Sequence, residues 1–418
     1  MSDPRAAFRH PAFRRFQVAR LLGVLGIQMM SVAVGWQVYA LTGRALDLGF
    51  VGLVQFLPHL VLFPVTGMVV DRLDRKWLYV GCYVGLFAGM VTLAVGSWFG
   101  LSIGGIYALL ALLSVARAFS APTQASLLPQ TVPIEVFGNA VTWSSSLWSL
   151  ASMVGPALGG GVYAATGSAT AVYCTSAALI AIGGASLLGM HPRPATRAAP
   201  NNTWADFFAG VRFIRSRPVL FAAISLDLFA VLFGGATALL PIYAKDLLHA
   251  GPAALGLLRA APSIGAAAMA VYLSYRPLER RAGPKLLAAV AVFGLATIGF
   301  ALSRSIPACF AMLVITGLAD EVSVVVRSNV VQLSTPEELR GRVSAAQFVF
   351  IGVSNEVGEL ESGTAAHLFG PVVAALSGGV GSLVVVAATA LFAPSLRRVD
   401  RLTAAALRPD PTPAPATD

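Results

Sequence analysis

Twelve apolar stretches, each close to the twenty residues a helix needs to cross a bilayer, leave this chain of 418 residues few ways to fold. Read in windows of about 19 residues, they fall at 18–41, 48–70, 77–98, 103–126, 138–164, 169–190, 219–243, 253–275, 285–303, 307–330, 341–366 and 370–393. Lipid offers the backbone no hydrogen-bond partner, so each stretch must satisfy its own amides as a helix. A closed barrel would show shorter alternating segments, and the sequence has none. The composition agrees. Apolar residues make up 56% of the chain and charged ones 11%, against roughly 25% charged in a soluble domain.

The net charge of +10 suggests nucleic acid as a partner until its distribution is followed. Of the 29 Lys and Arg, 23 lie at the chain ends or in even-numbered connections, whereas the connections on the other side hold Arg44, Lys245 and Arg304 alone. By the positive-inside rule this surplus is a topology signal, which puts both termini and the central linker in the cytoplasm and excludes a nucleic-acid partner. A multi-pass protein of a bacterial plasma (inner) membrane is expected. The basic N-terminus leads into an apolar stretch too long for a signal-peptide core, so no cleavage is expected. Cys82, Cys174 and Cys309 lie far apart within predicted spans, as packing residues rather than a disulfide or zinc framework.

The longest polar interruption, 191–217, divides the spans six and six. Its first part, 191–203, reads as a linker. Its second part, 204–217, puts Phe207, Val211 and Ile214 on one stripe and is predicted to be an amphipathic helix lying on the inner membrane face. The expected organisation is a cytoplasmic N-terminus at 1–17, a six-helix bundle at 18–190, the linker, a second bundle at 218–393 and a disordered cytoplasmic tail at 394–418. The halves repeat one another. At a constant offset of 203, Pro133 matches Pro336, Glu135 matches Glu338, Gly138 matches Gly341, Gly155 matches Gly358 and Gly160 matches Gly363. Gly52 and Pro58 echo Gly256 and Pro262 at an offset of 204, and Leu73-Asp74-Arg75-Lys76 has a worn copy in Leu278-Glu279-Arg280-Arg281. Duplication gives the fold class: an all-α membrane protein with twelve transmembrane helices in two pseudo-symmetric six-helix bundles, the plan of a secondary transporter.

Charges inside spans carry the chemistry. Arg117 lies in segment 4, Asp227 in segment 7, Asp320 and Glu321 in segment 10, Glu356 and Glu359 in segment 11. Such groups must face a cavity, pair or be protonated. The offset sets Arg117 opposite Asp320, which makes an ion pair between them natural. Glu356 and Glu359, at i and i+3, share a face where each carboxylate favours protonation of the other. They are the first candidates for a proton carrier, with Asp227 and Asp320 as others, and Arg117 would tune a carboxylate or hold an anionic substrate. Purely structural ion pairs are the plain alternative, and for Arg259 and Glu361, near the outer surface, the favoured one. Arg327, at the inner end of segment 10, is expected to snorkel. Gln28, Trp36, Gln37, Trp143 and Trp148 would line a cavity, anchor at the interface or glue helices.

Two patches stand out. The turn after segment 2 holds Gly67, Asp71, Arg72, Arg75 and Lys76, where Asp71 would complement a helix dipole and the basic residues would hold carboxylates or lipid phosphates. Segment 5 holds Gly155, Pro156, Gly159 and Gly160, a bendable helix suited to close packing. The first patch, a small residue and then Asp-Arg-x-x-Arg-Lys, resembles the loop signature of the major facilitator superfamily, with Asp74 where that family often has glycine. The second resembles the antiporter signature of its drug–proton exporters. Further likeness to the enterobactin-exporter-like branch, which includes macrolide efflux proteins, rests on His10-Pro-Ala-Phe13-Arg14, Arg117 with Leu-Leu-Pro129, Thr335 to Arg342, and Ser354-Asn-Glu356-Val-Gly-Glu359-Leu-Glu361. The resemblance covers residues 8–400. It implies that the 67–76 loop latches the halves in the outward-open state, and that segment 5 serves exchange rather than uptake.

No phosphate-binding loop is present, so ATP is not expected to drive the protein. No hydrolytic or metal motif appears, so neither an enzyme nor a cofactor is expected. The expectation is a monomeric secondary transporter that exports a small amphiphilic compound, siderophore- or drug-like, in exchange for protons. Its rivals are a proton-coupled nutrient importer of the same fold and a non-transporting receptor or scaffold.

Overall fold

The computed structural model describes residues 4–193, 204–276, 278 and 280–400. The linker at 194–203, Glu279 of the worn loop copy and the tail from 401 lie outside them. The described residues are almost wholly helical and contain no β-strand. Six helices build the first half: α1 (Pro11–Thr42), α2 (Ala45–Arg72), α3 (Arg75–Trp98), α4 (Ile103–Leu127), α5 (Phe137–Thr166) and α6 (Ala169–Leu188). A short α7 (Trp204–Ser216) precedes the second half: α8 (Pro218–Phe233), α9 (Pro252–Tyr275), α10 (Ala282–Leu302), α11 (Ile306–Ser334), α12 (Arg340–Phe369) and α13 (Pro371–Phe392). Among the described residues ten stretches, α8 counted with its continuation to Leu247, are long and apolar enough to cross a membrane. The other two, α5 and α12, have the length, at 30 residues each, but are too polar. Both take part in the contact between the halves, α5 against α9 and α12 against α2, and both line the chambers there, where polar residues are tolerated.

Local chemistry sets the ends. Ser102 and Ser305 cap α4 and α11, accepting from the Gly105 and Ala308 amides at 3.3 and 3.4 Å. Proline opens α1, α8, α9 and α13, where its missing N–H costs nothing. Gly43 and Gly167, at φ 62° and 67°, close α1 and α5 in the left-handed region that a side chain would resist. Helix α1 starts seven residues before the apolar stretch, because its first turns carry Phe13 and Phe16 into the core while Arg14 and Arg15 stay outside the apolar layer. Helix α8 breaks earlier than its apolar run predicts. Gly234 and Gly235 interrupt it, and the chain resumes as helical turns from Ala236 to Leu247.

Packing obeys the repeat. In the first half α1 lies on α5 and α6, α3 on α4 and α6, and α2 on α4. In the second half α8 lies on α12 and α13, α10 on α11 and α13, and α9 on α11. Two crossings join the halves, α5 with α9 and α2 with α12, and the duplication relates one to the other. Both are tight at the end bearing Gly43 and Gly167. A Cβ built on Gly160 would stand 2.5 Å from the Pro252 carbonyl and 2.9 Å from the Gly256 Cα. A Cβ on Gly363 would stand 3.0 Å from the Gly49 Cα. At the same end the Tyr39 hydroxyl of α1 donates to the Asp246 carboxylate beyond α8.

The opposite end holds a correction. Helix α7 is amphipathic, but its apolar stripe lies on protein rather than on the membrane face. Ile214 is buried in the second core, with Phe207 and Val211 packed against it. Gly210 lets the helix rest directly on the Arg342 carbonyl. Phe207 stacks edge-on between Phe63 of α2 and Phe350 of α12, at ring separations of 6.1 and 6.2 Å. The apolar area available on α8 and α12 outcompetes the bilayer surface for this stripe.

Backbone approach at the α5–α9 crossing predicts a sharp contrast between neighbours. Gly160→Ala, blocked by backbone atoms, should cost about 1–3 kcal/mol. Gly161→Ala, with nothing within 4 Å of its Cβ, should be neutral or stabilising. Thermal unfolding of the two variants in detergent checks this, and equal melting temperatures would contradict it.

Candidate functional site

Four charged side chains meet where the α2–α12 crossing reaches the middle of the protein. Helix α4 supplies Arg117, α9 supplies Arg259, and one face of α12 supplies Glu356 and Glu359; all four are half-buried. They line a polar chamber of about 140 Å³ between the halves. Arg117 donates to the Gln55 side-chain oxygen on α2 at 2.9 Å. The Gln55 carbonyl is 2.9 Å from His59 Nδ1, one turn along. Glu356 lies within electrostatic reach of both arginines, and Glu359 of Arg259. Yet among the described residues no carboxylate comes within the 4 Å of an ion pair with either arginine. Charges held this close without pairing keep their freedom to exchange partners.

Glycine makes the arrangement possible. A Cβ on Gly52 of α2 would stand 2.6 Å from Glu359 Oε2 and 2.9 Å from Glu356 Oε2. Helix α2 therefore presses its bare backbone onto the two carboxylates from the opposite half.

The same two carboxylates also face a larger chamber of about 640 Å³. Most of its wall comes from the second half, including Asp320 and Glu321 of α11, Phe293 of α10 and the Gly234–Gly235 break. Helix α5 contributes Trp148 and Ser152. Asp320 and Glu321 make no hydrogen bond or ion pair among the described residues. Asp227 is different. It is 6% exposed, ion-paired with Arg327, which is 5% exposed, and accepts from Ser323 Oγ at 3.1 Å.

Three expectations fail here. Arg117 does not pair with Asp320, because the side chain of α4 turns toward α2 and α12 while Asp320 faces the chamber of the second half. Arg327 does not snorkel, because a buried carboxylate one helix away offers a stronger partner than water beyond the helix end. That pair leaves Asp227 neutralised. Arg259 was assigned to outer-surface structure, yet it stands with Glu356 and Glu359, two turns into α9. The rule that singled out Arg117, a charge inside a span, applies to it equally. Among the described residues Glu361 accepts from its neighbour Ser362, at 3.4 Å. The polar and aromatic candidates divide: Gln28 and Trp148 line chambers. Gln37 ties α3 and α6 through Ser97 and Tyr173, Trp36 packs on Tyr163, and Trp143 bonds the Pro4 carbonyl.

The 67–76 patch is more helical than its charge suggests. Gly67, Asp71 and Arg72 occupy the end of α2, and Arg75 and Lys76 open α3. Asp71 thus sits at a helix C-terminus, and Asp74 complements a dipole instead, accepting from the Trp77 amide at 3.1 Å. The residue that departs from the loop signature is the cap of α3. Lys76 donates to the Leu188 carbonyl at 2.9 Å, within the first half. Asp71, Arg72 and Arg75 have no bonded partner among the described residues. In α5, Gly155 and Gly159 admit α1, with Cβ positions 2.6 Å from Gln28 Cβ and 2.7 Å from Met29 Cα, while Gly160 admits α9. Pro156 is buried between them.

Comparison with known proteins agrees with this architecture. The family model for transmembrane secretion effectors, of the major facilitator type, matches residues 2–417. The multidrug efflux pump Tap of Mycolicibacterium fortuitum is 27% identical over 91% of this chain and 95% of its own. The enterobactin exporter EntS of Citrobacter koseri is 26% identical over 93% of each. Among solved structures, a bacterial homologue of the human lysosomal transporter Spinster superposes with a TM-score of 0.72 at 13% identity, over 99% of this chain and 100% of its own, and so shares the fold.

The Asp227–Arg327 pair yields a stability test. Arg327→Ala leaves a buried carboxylate unpaired and should cost about 3–5 kcal/mol, whereas Asp227→Leu with Arg327→Met should come within about 1 kcal/mol of the parent or exceed it. Denaturant unfolding of purified protein measures both. A small loss in the single variant would show that water reaches the pair.

Proposed function

The chain belongs to the transmembrane secretion effector family, and on that premise we propose that it exports a small amphiphilic compound, siderophore- or drug-like, in exchange for protons by alternating access. The observation that carries this reading is the unpaired grouping of Arg117, Arg259, Glu356 and Glu359 on a chamber that both halves line. Chemistry on such a site is proton transfer and ion exchange, with no constellation for bond cleavage.

The residues divide the work by the half they belong to. Arg259, Glu356 and Glu359 move with the second half; Arg117, Gln55 and Gly52 move with the first. In the described state the crossings are shut at the Gly43 end, and Arg117 stands near Glu356. Parting that end withdraws Gly52 and Arg117 together, uncovering the carboxylates on the outer side with less positive charge beside them, where they take a proton. Closing brings Arg117 back, and the proton leaves inward. The larger chamber, with Trp148 and Phe293 among apolar walls and free carboxylates, takes the cargo. Asp320 and Glu321 face that cargo, and Asp227, held by Arg327, keeps α8 on α11.

The charge bias places both termini on the cytoplasmic face of a bacterial inner membrane. There the 67–76 patch, whose Asp71, Arg72 and Arg75 are free in this state, latches the halves in the opposite one. A monomer holds the whole pathway. The efflux-pump relatives favour export over uptake.

In reconstituted vesicles, Glu356→Gln and Arg117→Ala should each reduce pH-gradient-driven transport to background, with folding retained by gel filtration. Arg259→Ala should do the same, which a structural role near the outer surface would not require. Normal coupled transport in Glu356→Gln and Arg117→Ala would refute the assignment. Challenge of a deletion strain with siderophores, macrolides and dyes identifies the cargo.

A further inference from the structure

Glu356 and Glu359 form a wall with a different chamber on each face. The larger one carries the cargo in the reading above. The smaller one, about 140 Å³, holds the arginines. Its other polar walls are Gln28, Ser31 and Gln55. Ser31 donates to the Gln28 carbonyl and Gln55 to the Val51 carbonyl, at 2.9 and 3.3 Å, so the donors left for the space are the Gln28 side-chain amide and the guanidiniums. Of the donors on the two guanidiniums, one is spent on Gln55, and Arg259 makes no bond among the described residues. The space exceeds the roughly 30 Å³ share of one water severalfold, and nothing of the protein fills it.

Charge counting decides what belongs there. With both carboxylates ionised, Arg117 and Arg259 are balanced across the chamber. Each proton taken by the wall leaves one positive charge uncompensated away from bulk water, which is costly. No other titratable group can compensate. On α2, His59 would add positive charge on protonation, Asp47 is held by Arg44 and Tyr107, and Asp71 lies at the far end of the helix. Beyond α8, Asp246 accepts from Tyr39 of α1. On α12, Glu361 accepts from Ser362 and lines neither chamber. Asp320 and Glu321 lie across the wall, and Asp227 is committed to Arg327.

We propose that the small chamber is a binding site for a small monovalent anion, held between Arg117 and Arg259 when Glu356 and Glu359 carry protons. The anion enters as the wall is neutralised, is enclosed when closing brings Arg117 back toward Arg259, and is expelled as the carboxylates lose their protons inward. The proposal rests on the proton-exchange reading for its timing, but not for the existence of the site. Guanidinium pairs accept either a halide or a small carboxylate, whether free or on an organic compound.

The test uses purified full-length protein and titrates chloride, then acetate, against a gluconate background, following ³⁵Cl line broadening and melting temperature. Wild type should bind chloride about tenfold more tightly near pH 5.5 than near pH 8. Glu356→Gln with Glu359→Gln should bind it tightly at both, and Arg259→Gln should abolish saturable binding throughout. If the double variant does not fold, Glu359→Gln alone should bind chloride several times more tightly than wild type near pH 8. Acetate that binds while chloride does not would mark an organic carboxylate as the occupant. Saturable binding of neither anion in the Gln variants, or unchanged binding in Arg259→Gln, overturns the proposal. The two readings separate: loss of coupled transport in Glu356→Gln without anion binding sinks the anion site alone. Anion binding together with intact coupling in Glu356→Gln sinks the proton reading alone.

Discussion

The cost of holding charge away from water organises this protein more than any packing preference. Every ionisable group in the apolar layer must be neutralised, solvated by a chamber or kept near an opposite charge without touching it. Asp227 takes the first course, closed off with Arg327 and Ser323. Asp320 and Glu321 take the second, facing the large chamber. Arg117, Arg259, Glu356 and Glu359 take the third. A paired charge resists change, since separating it exposes two bare ions at once. An unpaired but balanced set responds to a single proton. The distinction between structure and mechanism in this membrane protein is thus a distinction between contact and near-contact.

Glycine sets how near. The carboxylates on α12 stand under Gly52 of α2, and any side chain there would meet their oxygens. Elsewhere glycine brings backbone to backbone, as at Gly160 with Gly256 and Gly363 with Gly49. Small residues at helix crossings are the usual means of association in lipid, where apolar burial drives little. Here the same device sets the distance between one half's backbone and the other half's charges.

Much of this was legible from residue order, because the bilayer restricts the options. Apolar length alone gave most of the helices, and the offset of 203 matched Gly160 to Gly363, residues that the structure places at the α5–α9 and α2–α12 crossings. Charge inside a span pointed to Arg117, Glu356 and Glu359. The misreadings have one physical source, the choice among competing partners. Periodicity showed that α7 has an apolar stripe but not whether lipid or α12 would cover it. Arg327 lies near a helix end, where water is available in principle, yet Asp227 is nearer. Arg259 was discounted on depth alone, though α9 carries it two turns inward. Asp74 broke a loop signature, and only the helix start at Arg75 explains it as a cap.

The duplication also shows where the halves ceased to be equivalent. Subtracting 203 from Glu359 gives Pro156, so the carboxylate occupies in α12 the place that proline takes in α5. Above each stands a glycine of the opposite half, Gly256 over the Pro156 carbonyl and Gly52 over the Glu359 carboxylate, themselves related by an offset of 204. At the first crossing the contact is backbone on backbone, with a proline that removes one helical hydrogen bond and eases bending. At the second the contact is backbone on charge, which depends on protonation. A transporter built from two identical crossings could bend at both but sense at neither. Under the proposed proton exchange, divergence at one pair of positions would leave α5–α9 as a crossing that flexes and make α2–α12 one that reports whether a proton is present. The proposed coupling would then follow from geometry, because the two crossings tie the same two bodies and cannot open independently.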